Sequence, residues 1–301
     1  MSTTQKNWDS RSVGTPWQHN FFYLLIRLGG RHLPYLFLYP VVLYYTIFRP
    51  DQRQKARYYL DRRFPDRRGW AALADSYRLI LTLGRTLIDR ALIGIRGPEA
   101  LPTEFPDEPR LSQLAATGRG LILLTSHVGC WQAAMAYLAR LGRPVHMLME
   151  RNAGDIDRHY FEHQGKPCPY QIIEPSAFLG GSIEMVAALK RGEIVAIMGD
   201  RLGTASERSL KLDFLGAPAP FPVAAWKLAA ATGAPIAVLF PLKTGAASYR
   251  IELPEVIEVP PQAGRPLNRL EPYLGRYVKA LEELCRRHPF QFFNFFDLWR
   301  S

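Results

Sequence analysis

The chain has 301 residues, 48% of them hydrophobic and 22% charged, with a formal net charge of +11. A chain of this length buries a sizeable core, and the composition excludes a disordered chain, a collagen-like repeat and a disulfide-stapled mini-protein. Three cysteines, Cys130, Cys168 and Cys285, are far apart and odd in number. They form neither a disulfide framework nor a spaced zinc site, and a reducing compartment is the simple reading.

The positive charge is concentrated at one end. Residues 1–100 hold 16 Lys/Arg against 7 Asp/Glu, whereas residues 101–301 hold 22 against 20. Residues 1–20 are polar, and no small-residue cleavage pattern follows the apolar stretch that begins at Phe21, which argues against a cleaved secretory signal. From Phe21 to Phe48 the chain reads FFYLLIRLGGRHLPYLFLYPVVLYYTIF. Its longest uncharged run, Leu33–Phe48, has 16 residues and contains Pro34 and Pro40, short of the roughly 20 apolar residues that a spanning helix needs. A helix or re-entrant hairpin lying in one leaflet fits better; a buried hydrophobic helix pair is the alternative. From Arg49 to Arg68 eight basic residues face three aspartates. A solvated helix face is the usual meaning of such a run, but beside an apolar anchor each charge adds about 1 kcal/mol of attraction to anionic lipid. Charge placed there, rather than around a site, argues for a membrane surface and against nucleic acid. Trp70 to Ile95 has helical apolar spacing, and residues 97–118, rich in Pro and Glu, read as a linker.

The remainder alternates. Short apolar runs, GLILLTS, PVHMLME, YQIIEP, EIVAIMGD and PIAVLFPLK, are separated by stretches of helical pattern near 130–142, 152–164, 179–192 and 221–233. This predicts an α/β fold with a mainly parallel sheet flanked by helices. SYRIELPEVIEV reads as a late strand and residues 268–287 as a closing helix. The expected organisation is a helical, basic, membrane-associating region over 1–96, the linker 97–118, and an α/β core over 119–301.

Ligands of open α/β sheets gather at the carboxyl ends of the strands, and polar clusters fall there. Ser126-His127-Val128-Gly129-Cys130-Trp131-Gln132 follows LILLT, placing His127 either as a general base or as a structural histidine bonded to a loop carbonyl. Gly199-Asp200-Arg201 ends EIVAIM. It is either an ordinary loop ion pair or an acid that holds a substrate group beside an arginine that binds phosphate. Glu150-Arg151 ends PVHMLM and is the weakest cluster, with a solvated turn as its alternative. Ser126, Arg151 and Arg201 are the candidates for substrate binding. There is no G-x-S-x-G elbow, Walker loop or G-x-G-x-x-G after a strand. His159 and His163 lack the H-E-x-x-H order for zinc, and a short turn does not aim the Cys130 sulfur at His127.

TSHVGCWQ resembles the His-x4-Asp/Glu block of the lysophospholipid acyltransferase superfamily, in the branch of bacterial lipid A late acyltransferases. LKRGEIVAIMGDR and DFLGAPAPFPVAAWKLAAATGAPIAVLF are similar to later blocks of that branch. The opening WQHNFFYLLIRLGGRHLPYLFLYPVVLYYTIF and the ending HPFQFFNFFDLW resemble a sub-branch of predicted acyltransferases found with aryl-polyene or xanthomonadin-type pigment pathways. The resemblance runs from about Trp8 to Trp299. It implies an αβα acyltransferase-like core, no cofactor, and acyl transfer from an acyl carrier protein or acyl-CoA thioester to a hydroxyl of a lipid-like acceptor. It implies attachment to the cytoplasmic face of the inner membrane. His127 would be the general base, and Asp200 and Arg201 would bind substrate or order the site.

Position 132 departs from the pattern, since it holds Gln where the family has Asp or Glu to orient the histidine. Gln132 accepts a hydrogen bond but supplies no negative charge, so the imidazolium is less stabilised. Replacing the carboxylate of a Ser-His-Asp triad by its amide costs about 10⁴ in turnover. Three explanations stand at this point: a slow or inactive chain, Asp200 as the substitute acid, or a deliberate Glu→Gln change. The first includes a non-catalytic lipid-binding relative.

Overall fold

The apolar runs become strands of one seven-stranded sheet in the computed structural model, which describes residues 16–150, 170–203 and 207–300. In chain order the strands are β1 (Thr103–Glu104), β2 (Leu121–Thr125), β3 (Val145–Leu148), β4 (Gln171–Ile173), β5 (Ile194–Met198), β6 (Ser209–Phe214), β7 (Ala217–Pro222), β8 (Ile236–Lys243) and β9 (Tyr249–Ile257). The helices of eight or more residues are α1 (Pro16–Gly29), α2 (His32–Phe48), α3 (Pro50–Arg63), α4 (Gly69–Arg96), α5 (Glu108–Ala116), α6 (Ser182–Lys190), α7 (Ala224–Thr232) and α8 (Glu271–Arg287).

The sheet order is β1-β9-β8-β2-β5-β3-β4, and its central strands are apolar on both faces because helices cover both. Ile122, Leu124, Val195 and Ile197 pack with Met185 and Leu189 of α6, Trp226 of α7 and Leu281 of α8. Their neighbours Leu121, Leu123, Ile194 and Ala196 pack on the other side with Leu111 and Ala115 of α5 and with Leu138 and Leu141. The period of two along each strand thus divides its side chains between two cores.

The sheet is mainly parallel, as the sequence predicts; β9 runs antiparallel to β8, because residues 244–248 form too short a connection for a crossover. Two features differ from the sequence expectation. Residues 97–118 hold β1, which pairs with β9 at the sheet edge, and α5, whose Leu111 and Ala115 are buried. Residues 131–141 form successive short turns, Trp131–Ala134, Met135–Leu138 and Ala139–Leu141, instead of one helix. The β6–β7 pair is an additional antiparallel hairpin. The separator at 152–164 lies outside the described residues.

The stretch from Phe21 to Phe48 contributes to a helical hairpin, α1 and α2, that turns at Gly30 and Arg31. It packs on α4 through Ile26, Leu38, Val42, Ile88 and Leu92. Gly84 allows this approach, since a Cβ there would lie 2.7 Å from Leu38. The opposite side of the hairpin exposes Leu24, Leu28, Leu36, Leu43, Tyr44 and Phe48. No helix among the described residues is long and apolar enough to cross a membrane.

Several arginines of the basic run have structural partners. Arg53 donates to the Thr46 carbonyl near the end of α2, and Arg63 donates to the Cys285 and Arg286 carbonyls at the end of α8. Arg67 pairs with the buried Asp75 at 2.6 Å. A second buried acid, Asp89 of α4, fastens the hairpin to the sheet. It accepts from Tyr35 of α2 at 2.7 Å, from Lys243 of β8 at 2.5 Å, and from Tyr249 of β9. Burial lowers the Lys243 pKa while Asp89 opposes the shift. Removing one partner of a buried ion pair strands the other charge and typically costs 3–5 kcal/mol. Lys243→Met is therefore expected to destabilise the protein by about 3 kcal/mol in urea denaturation. Adding Asp89→Leu should recover part of that loss.

Candidate active site

Strands β2 and β5 are parallel neighbours, paired from Leu121↔Ile194 to Thr125↔Met198. Carried two residues past both strand ends, the same register sets His127 opposite Asp200. One carboxylate holds both the ring and the main chain of the histidine. His127 Nδ1 lies 3.0 Å from each Asp200 oxygen, and the His127 backbone N–H donates to Asp200 Oδ1 at 3.1 Å. Asp200 is buried, whereas the His127 side chain keeps 27% of its surface exposed.

Arg201 adds a positive charge beside this pair. Its Nε is 3.7 Å from Asp200 Oδ2, its Nη2 donates to the Phe293 carbonyl at 2.6 Å, and its guanidinium lies over the Phe296 ring. Burial lowers the Arg201 pKa to about 10 against the opposing pull of Asp200. Burial works to raise the Asp200 carboxyl, but His127, Arg201 and the His127 N–H together hold it below the usual carboxylate value. His127 is pushed below the ordinary imidazole value, first by burial and then by Arg201, with Asp200 opposing both. The lowered pKa favours the neutral form of the ring.

The loop carrying His127 is fixed on three sides. Gly129 has φ +50°, and a Cβ there would lie 1.8 Å from the Pro241 carbonyl oxygen, so only glycine fits this close approach to β8. Cys130 N–H donates to that same carbonyl at 3.0 Å, and Gly129 N–H donates to the Gln291 carbonyl at 3.0 Å. Val128 forms an isolated antiparallel bridge with Phe292, and Phe293 N–H donates to the His127 carbonyl at 2.8 Å. Ser126 is buried, and its hydroxyl shares a 2.7 Å hydrogen bond with Tyr277 of α8.

The structure therefore brings Ser126, His127, Asp200 and Arg201 together. Gln132 is buried in the first turn after the loop, where its amide oxygen accepts from the Cys130 thiol at 3.4 Å. Burial pushes that thiol up to about 12, which makes it a poor nucleophile. Arg151, His159 and His163 lie outside the described residues. No group of three His, Cys, Asp or Glu side chains suited to a metal occurs among the described residues. Sequence reasoning did not assign site roles to Tyr277, Gln291 or Phe293. The aromatic ending HPFQFFNFFDLW stands out in composition, but nothing in it states that its backbone grips a loop more than 160 residues earlier.

A family model described as bacterial lipid A biosynthesis acyltransferase matches residues 3–301. No curated protein matches the chain.

The charges around His127 give a signed test. Its imidazole should titrate below the ordinary value of about 6.5. Asp200→Asn removes the partner that favours the charged ring and should lower the pKa further. Arg201→Gln removes a repelling cation and should raise it. NMR titration of the His127 ring in the three proteins checks both signs.

Proposed function

The chain belongs to the bacterial lipid A biosynthesis acyltransferase family, and from that premise we propose a membrane-surface O-acyltransferase with His127 as its general base. It moves a fatty acyl group from an acyl carrier protein or acyl-CoA thioester to a hydroxyl of a lipid-like acceptor, a glycolipid or a polyene. The observation that carries this reading is the pairing of His127 Nδ1 with both Asp200 oxygens at 3.0 Å. A proton held on Nδ1 by the carboxylate makes Nε2 the basic nitrogen.

Nε2 takes the acceptor hydroxyl proton as that oxygen attacks the thioester carbonyl. The tetrahedral intermediate collapses, the C–S bond breaks, and the departing thiolate takes the proton from Nε2. An ester and a free thiol result, and the histidine returns to neutral. Asp200 stabilises the transient imidazolium, which is the task that the family's acidic residue performs at the position held here by Gln132. Arg201 orders the site through Asp200 and Phe293 and, with Ser126 and Arg151, is assigned to substrate binding.

The exposed apolar side of the α1–α2 hairpin supports docking to the cytoplasmic face of the inner membrane, where a lipid acceptor resides. Leu28, Leu36 and Phe48 are 72%, 65% and 66% exposed, and exposed apolar residues spread along one helical hairpin mark an interaction surface. Acidic headgroups or an acidic carrier protein complement the basic residues that follow.

Incubation with acyl carrier and acyl-CoA thioesters plus lipid extract should yield a new acyl ester by mass spectrometry. His127→Ala is expected to abolish it, and Asp200→Asn to reduce it by about 10²–10⁴. Gln132→Glu should give no gain, since Asp200 already supplies the charge; a large gain would show that position 132 limits the enzyme. Separately, the triple change Leu28→Ser, Leu36→Ser, Phe48→Ser should release the protein from anionic vesicles in flotation. Unchanged flotation would overturn the docking surface.

A further inference from the structure

The hydrogen bonds around residues 291–293 form one continuous path from the end of β8 to His127. The Gln291 side-chain amide meets the main chain of Lys243 in both directions: Lys243 N–H donates to Gln291 Oε1 at 2.8 Å, and Gln291 Nε2 donates to the Lys243 carbonyl at 2.9 Å. The amide thereby copies the pairing that a neighbouring strand would give the last residue of β8. The main chain of the same residue turns the other way, where its carbonyl accepts the Gly129 N–H. The next two residues complete the grip, with Phe292 bridged to Val128 and Phe293 bonded to His127 through its N–H and to Arg201 through its carbonyl.

We propose that Gln291 is a positioning residue of the acyl-transfer site. Its side chain sets where residues 291–293 lie against β8, and those residues set the main chain of His127 and the guanidinium of Arg201. The proposal rests on the reading of His127 as the base, and it adds a residue that touches neither substrate nor the imidazole. Two other anchors hold the segment without involving Gln291. Tyr59 donates to the Pro289 carbonyl at 2.8 Å, and its ring packs edge-on against Phe292 at 5.2 Å. Loss of the Gln291 amide should therefore loosen the register of the strap without detaching it. A displacement of the base by a fraction of an ångström to an ångström lowers turnover by about ten- to a hundredfold.

Among the described residues, the charges that act on the ring include Asp200 and Arg201 at the end of β5 and Arg90 on α4, with Tyr277 of α8 coupled to Asp200. Movement of the His127 loop changes the distance to each of them, so the ring's titration reports its position independently of turnover.

The test compares Gln291→Leu, which removes both bonds, with Gln291→Glu, which keeps the acceptor for the Lys243 N–H but loses the donor. Trp299→Phe serves as a stability reference, since it removes a different long-range bond, from the indole N–H to the Phe214 carbonyl. The expected result is a ten- to hundredfold fall in kcat with little change in KM for Gln291→Leu and an intermediate fall for Gln291→Glu. The His127 ring titration, assigned by its loss in His127→Asn, should be displaced in both. Wild-type kcat and wild-type titration in the folded variants would overturn the proposal. So would a loss that follows only the melting temperature and is matched by Trp299→Phe. If Gln291→Leu does not fold, Gln291→Glu decides on the same readouts. If the wild-type chain transfers no acyl group from any donor, the functional reading fails, and the ring titration alone still decides whether Gln291 positions His127.

Discussion

The site depends on the parallel pairing of β2 with β5. Two strands that share a register present their carboxyl ends side by side, so the residue two past one end meets the residue two past the other. His127 and Asp200 meet for that reason, and the carboxylate then fastens the ring and the main chain together. Because Asp200 lies in the buried layer while the imidazole reaches outward, the charge that stabilises a protonated histidine sits in low dielectric, where it acts strongly. The neighbouring Arg201 opposes it. The balance leaves an imidazole with a lowered pKa and an anion bonded to its Nδ1.

The rest of the molecule holds that pair from both ends of the chain. The C-terminal segment closes over the His127 loop, and α3 closes over the C-terminal segment through Tyr59. The α1–α2 hairpin is bound to the end of β8 through Asp89, and the same β8 residue, Lys243, pairs with Gln291. The apolar hairpin and the histidine loop are therefore attached to one strand end. These contacts join residues far apart in sequence, so non-local pairings assemble the site.

How much of this was legible in the sequence follows from the range of each interaction. LILLT and IVAIM declare themselves because strands covered on both faces need apolar residues at every position. His127 and Asp200 stand out because each closes such a run. Their pairing was one of three alternatives for Gln132, since β3 and β4 lie between β2 and β5 in the chain and no local pattern reveals strand order. β1 is too short at two residues to show alternation, and the prolines of APAPFP obscure β7. The reversal at β9 depends on the length of a connection, and the grip of Gln291 on Lys243 on a contact between residues 48 apart. Neither leaves a local mark.

The structural partners of the basic run change what its charge means to an approaching surface. Arg53 and Arg63 sit on the carbonyl ends of α2 and α8, where helix dipoles offset part of their charge. Arg49, Arg57 and Arg67 face Asp51, Asp61 and Asp75. Arg62 lies over the Trp299 ring, and Arg68 donates to the Pro65 and Arg67 carbonyls. The formal charge of this segment is thus a measure of composition more than of potential. Adhesion there would respond to ionic strength as a few charges do, with the apolar hairpin supplying the part that salt does not screen.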